Sequence, residues 1–154
     1  MVNNSQSQND NIVYGLVAVA MVLLIIGLFL PIINVNMGLE GSPDSASFMN
    51  NGEGVGSDAI MIIGLLVISG GLVAIKRTRW VILTGILILG ILFINYLDIS
   101  DTVSLFKSLD IDASMGMFAW ALLYLGSFAM IGAGGLAFKN SRTQSTYQQV
   151  KATA

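Results

Sequence analysis

The chain has no cysteine and no histidine, only two prolines, and charge on just 10% of its 154 residues. Each shortage removes a class of chemistry. Without cysteine there are no disulfides, thiol nucleophiles or thiolate metal sites, and the redox state of the compartment leaves no mark on the sequence. Without histidine there is no imidazole base and no haem ligation through that ring. Soluble domains carry roughly 25% charged residues; this chain has too few to clothe a water-facing surface. Its net charge of −2 gives no basis for binding nucleic acid, which calls for a basic face.

What is present is apolar. Hydrophobic residues make up 55% of the chain and the mean hydropathy is +0.78. They fall in four blocks that lack the polar residue at every third or fourth position expected of a soluble bundle. The fold class expected is an all-α membrane protein. It is a four-transmembrane-helix antiparallel bundle with a short extended segment in the first outer loop and a short amphipathic helix in the second.

Residues 1–11 are rich in Asn, Gln and Ser and read as a mobile tail. The first span, 12–33, counts 22 residues; no basic segment precedes it and no A-x-A-like site follows, so it is read as a retained helix rather than a cleaved signal. Pro31 strains its end, and the alternation through Ile33, Asn34, Val35, Asn36 and Met37 has a period of two, giving an extended segment over 32–39. The outer loop occupies 34–57. The second span, 59–75, is only 17 residues, with Ser57 or Asp58 as its cap. An inner turn, 76–79, leads to the third span, 80–97, with Trp80 and Tyr96 as aromatics at the two interfaces. A turn this short must reverse the chain. The second outer loop, 98–113, contains Ser100, Asp101, Val103, Leu105, Phe106 and Leu109 in the pattern of a capped amphipathic helix. The fourth span, 114–138, is followed by a polar tail, 139–154.

The basic residues Lys76, Arg77, Arg79, Lys139, Arg142 and Lys151 then fall on one side and only Lys107 on the other. The positive-inside rule makes the first side cytoplasmic, together with both termini, and turns 34–57 and 98–113 outward. Lys76, Arg77, Arg79, Lys139 and Arg142 are the topology anchors.

No Asp, Glu, Lys, Arg or His lies within the four apolar runs. Transporters and proton relays place such groups at depth despite a cost of roughly 2.5–3.5 kcal/mol each. The polar side chains at depth are Ser69, Thr84 and Ser127, with Asn95 near an outer end, and all four are expected to bond to helix backbone or a neighbour. Small residues suited to helix packing are Gly70 with Ala74, Ala129 with Ala133, and the cluster Gly132 to Gly135. The run Asp110, Asp112, Ser114 opens like a calcium loop, but Met115 replaces the turn glycine and Ala121 the bidentate Glu. Asp98, Asp101 and the acids of the first loop read as solvated charges. Gly52 to Gly56 lacks the strand and Lys of a phosphate-binding loop. Neither catalytic residues nor metal or cofactor sites are assigned.

Gly27-Leu-Phe-Leu-Pro31, Gly56-Ser-Asp58, the basic turn with Trp80, and Gly116 with Gly126 resemble features of small four-helix membrane proteins of bacteria and archaea, over nearly the whole chain. In outline the chain is also similar to the claudin-type arrangement. The Trp and paired Cys that mark the first loop of that type are missing, so a junction-forming role is not carried over. The expected function is non-enzymatic, as an accessory subunit or scaffold whose partners are the lipid bilayer and another membrane protein or further copies of the chain. A conduit for a neutral or lipidic solute, and a viral or phage membrane, lysis or immunity protein, are the alternatives.

The cysteine-free background makes orientation directly measurable. In intact cells an impermeant thiol reagent should label Ser47→Cys and spare a cysteine placed in the basic turn; the reverse pattern would invert the topology.

Overall fold

The computed structural model describes residues 3–36, 44–50 and 56–153, with side chains over 10–36, 45–50 and 56–141. It is mostly helical. The elements are α1 (Asn3–Phe29), β1 (Ile33–Asn36), β2 (Asp44–Ala46), α2 (Ser57–Ala74), a 3₁₀ turn (Thr78–Trp80), α3 (Val81–Ser108), β3 (Asp112–Met115) and α4 (Met117–Thr153). Each of the four helices contains a stretch long and apolar enough to cross a membrane: Asp10–Phe29, Ser57–Ala74, the segment Thr78–Ser108, and Met117–Ser141.

Several boundaries differ from those the sequence suggests. The polar residues ahead of the first span continue the helix back to Asn3, so from that residue onward they are not a separate tail; none is Gly or Pro, and no residue there breaks the backbone ladder. At its other end α1 stops at Phe29 rather than 33, two residues short of Pro31, whose ring disfavours helical geometry in the residue before it. The N-cap of α2 is Gly56, not Ser57 or Asp58, and no side chain bonds to it; Asp58 lies within the first turn, where its charge still suits the helix dipole.

The largest correction concerns the second loop. There is no separate amphipathic helix over 98–113, because α3 runs unbroken for 28 residues, about 42 Å at 1.5 Å per residue. No Gly or Pro lies between Asp98 and Ser108 to end the helix. Its hydroxyls satisfy themselves along the helix, Thr102 Oγ1 donating to the Asp98 carbonyl (2.8 Å), Ser104 Oγ to Asp101 (2.7 Å) and Ser108 Oγ to Leu105 (2.7 Å). α4 likewise continues through the polar tail to Thr153.

Of the extended segment expected over 32–39, Ile33–Asn36 is present as β1, the middle strand of a three-stranded sheet in the order β2-β1-β3, and residues 37–39 lie outside the described residues. Both pairings are antiparallel, Ile33 opposing Ala46 on one side and Met115 on the other. Residues 112–115, read from sequence as part of the second loop and the start of the fourth span, are therefore strand. Val35, Val103 and Ala113 form a small core between the sheet and the extension of α3, with Ile99, Phe106 and Ile111 against it. The apolar face of residues 99–106 thus supports a sheet.

α4 is the central element. It packs along both α1 and α3, while α2 lies against α3 and touches α1 only lightly. Glycines set the spacing. A β-carbon on Gly27 would lie 2.7 Å from Leu123 Cγ, and one on Gly126 would lie 2.7 Å from Leu24 Cγ, so α1 and α4 each seat a leucine over the other's glycine. The same exchange joins α3 to α4, where a β-carbon on Gly85 would lie 2.9 Å from Ile131 Cγ1 and one on Gly134 would lie 2.5 Å from the Ile82 backbone nitrogen. Gly116, just ahead of α4, runs against the Pro31 carbonyl so closely that any side chain would collide with it.

The run Gly132 to Gly135 makes a sharp test, because Gly134 is sealed by backbone while nothing stands within 4 Å of a β-carbon on Gly132. Gly134→Ala should destabilise by about 1–3 kcal/mol and Gly132→Ala should be neutral or slightly stabilising, measured by unfolding in detergent. Equal effects would show that the α3–α4 approach is not set at Gly134.

Candidate functional site

Two ends of the bundle gather the chemically distinctive residues. At one end, the C-terminus of α2 turns on Lys76, whose φ of 58° is left-handed. The amide of Lys76 donates to the Val73 carbonyl (3.0 Å) and that of Arg77 to the Leu72 carbonyl (2.8 Å), which together make a Schellman motif. Glycine normally fills that left-handed position. Here it is a lysine, at a backbone cost of roughly 1–2 kcal/mol.

This turn forms one wall of a cleft of about 360 Å³. Lys76, Arg77, Thr78 and Arg79 supply that wall; Asp10, Val13 and Tyr14 of α1 and Ala137, Asn140 and Ser141 of α4 supply the others. Among the described residues, three cationic groups therefore share the space with one carboxylate. The Arg79 guanidinium lies 5.8 Å from the centre of the Trp80 ring, and Trp80 itself is 46% exposed. Ser141 Oγ donates to the Phe138 carbonyl (2.9 Å), which leaves its oxygen able only to accept.

Of the topology anchors, Lys76, Arg77 and Arg79 come together in this cleft. Lys139 is exposed beside it in sequence, and the side chain of Arg142 lies outside the described residues. Neither the left-handed lysine nor the contribution of α1 was legible from sequence, since Lys76 is not Gly or Asn and Asp10 stands 66 positions from it.

The opposite end holds an aromatic cluster that the sequence reading missed. Trp120 is buried; Tyr96 and Phe48 meet it edge-on at 5.4 and 5.7 Å, and Tyr124 stacks at 5.9 Å. Tyr96 is thus partly engaged with the bundle, whereas Trp80 faces outward. The Trp120 Nε1–H is buried with no partner among the described residues. Only Tyr124, four residues on in α4, is local; Phe48 and Tyr96 come from two other segments, so the run around Trp120 carries little mark of the cluster.

Between these ends the interior is polar at only a few points. Ser69 of α2 and Thr84 of α3 are joined by a 2.6 Å hydrogen bond. Ser69 Oγ is also 2.8 Å from the Leu65 carbonyl, and Thr84 Oγ1 is 2.8 Å from the Val81 carbonyl. Two hydroxyls have two protons for these three contacts, so one proton is shared or alternates. Ser127 Oγ and Asn95 Nδ2 donate to carbonyls four residues back on their own helices, at 2.9 Å in each case.

The proposed packing residues are placed unevenly. Ala133 is fully buried and Ala129 half-buried in the core, but Ala74 is exposed and Gly70 meets only the Met21 Cε, at an ordinary 3.8 Å. The close approaches lie instead at Gly27, Gly85, Gly126 and Gly134, because α4 rather than α2 is the hub. Among the described residues no three acids gather where they could hold a metal ion; Asp98 and Asp101 are both exposed. The loop acids Glu40 and Glu53, and the glycine run 52–55, lie outside the described residues.

Compared with protein-family models, curated proteins and solved structures, the chain matches none of them.

Replacing the left-handed lysine by the residue its backbone prefers isolates what the turn costs. Lys76→Gly should raise stability by about 1 kcal/mol in detergent, and a loss of stability would mean that the side chain's own contacts outweigh the backbone strain.

Proposed function

We propose that the protein is a multi-pass protein of the cell membrane that acts by association, as an accessory subunit or scaffold, and not as an enzyme. In this reading α1 to α4 form an antiparallel bundle. Both termini and the cleft lie on the cytoplasmic side, and the sheet and aromatic cluster lie outside. Six basic residues on the cleft side against Lys107 alone on the other support that orientation.

The observation that carries the proposal is the uneven cover on α2. One stripe of it, Ala59, Ile62, Leu66 and Ser69, is buried. The stripe Ile60, Gly64, Val67 and Gly71 is uncovered, with Ile60 59% and Val67 70% exposed and nothing within 4 Å of a β-carbon on either glycine. Lipid tails are as apolar as these side chains, so burial alone does not drive helices together in a bilayer; close fit does, and glycine notches between branched residues allow it. By contrast, the space between α1, α3 and α4 is filled by Leu24, Ile88, Leu92, Leu123 and Met130, each at 0% exposure. A filled interior favours association over conduction through a single copy.

Gentle detergent extraction from native membranes should recover a different protein in fixed stoichiometry. Gly64→Ile should release that protein while the bundle remains folded. Recovery of only the bare monomer or of a pure homo-oligomer would overturn the proposal.

A further inference from the structure

We propose that the basic cleft is a binding site for a phosphate group, presented by the headgroup of an anionic phospholipid. This rests on the membrane reading above. Lys76, Arg77 and Arg79 place three cations around one cavity, against the single carboxylate of Asp10. Arginine guanidinium groups suit phosphate oxygens because their donors can bind two oxygens at once, and lysine adds a mobile point charge. Tyr14 and Asn140 line the same space and bring neutral donors.

Two features favour a lipid over a free anion. First, the cleft is edged by apolar surface suited to acyl chains: Ile12 is 54%, Ile75 61% and Trp80 46% exposed. Ile12 lies between the cleft residues Asp10 and Val13 on α1, and Ile75 directly precedes Lys76, so exposed apolar residues adjoin the cleft residues along the chain on two of its walls. Second, Trp80 carries Arg79 over its ring at 5.8 Å, which sets an aromatic of the kind found at headgroup level beside the cationic wall. The left-handed Lys76 then has a use that offsets its backbone cost, since a glycine there would make the same turn without the charge.

The test uses the full chain in a non-ionic detergent, supplied with equal amounts of phosphatidylglycerol and phosphatidylcholine. Lipid carried through gel filtration is quantified by mass spectrometry. Phosphatidylglycerol should be retained about tenfold over phosphatidylcholine. The double variant Arg77→Gln with Arg79→Gln should abolish that preference, and Lys107→Gln, exposed at the other end of the bundle, should leave it intact. Lys76→Gly guards against a misfolded variant, for it should weaken the preference while stabilising the fold. Equal retention of the two lipids, or a preference indifferent to the turn variants, would overturn the site. Displacement of phosphatidylglycerol by millimolar inorganic phosphate would overturn the lipid as its occupant and assign the cleft to free phosphate. Carbonate washing of native membranes separates the two proposals. A chain released by carbonate overturns the membrane reading, whereas a retained chain with no lipid preference overturns the cleft alone.

Discussion

Everything in this fold depends on the backbone of α4 lying within van der Waals reach of α1 and α3. That approach is made by four glycines in two reciprocal pairs, Gly27 with Gly126 and Gly85 with Gly134, each beneath a branched side chain of the facing helix. In the membrane setting proposed above, apolar side chains gain little from meeting each other rather than lipid tails, so the contact energy comes from dispersion, which falls steeply with separation. A single methyl group at Gly134 would therefore weaken the whole α3 contact.

The two ends follow from this hub. Because α4 begins immediately after Gly116, whose amide donates to the Ile32 carbonyl at 2.9 Å, its first turn is tied to the strand that leaves α1. The sheet is built on that tie, and the long extension of α3 rises beneath it through Val103. At the other end the same alignment brings Asp10 and Asn140 beside the turn after α2, so one wall of the basic cleft is local in sequence and two are not. The helix with least cover, α2, is held to its neighbour by the shared protons of Ser69 and Thr84 rather than by glycine notches. Its stripe Ile60, Gly64, Val67 and Gly71 is left uncovered.

Much of the architecture was legible. Four apolar runs, the basic turn, the strand after Pro31 and the backbone-bonded hydroxyls all follow from residue type and short spacing. The cleft was half legible: its three described cations lie within four residues of the sequence, but the cavity is closed by α1 and α4. The separate amphipathic helix expected over the second outer loop failed for a physical reason. Asp98 to Ser108 has a polar composition and a helical period at once, and composition cannot say whether such a helix is new or a continuation.

By itself the sequence determined where the chain is apolar enough to cross a membrane, where it turns, and on which side its positive charge collects, because hydropathy and charge are properties of short stretches. Tertiary structure alone decided which glycines touch, which residues meet Trp120, and that three segments close around Lys76. The reason lies in the helices themselves. These helices are apolar nearly all round, as a helix bounded by lipid outside and by other helices inside would be, so their sequences carry no amphipathic phase to reveal which face is turned inward. That rotation is settled only when Leu24 finds Gly126 and Ile82 finds Gly134, across separations no local pattern records.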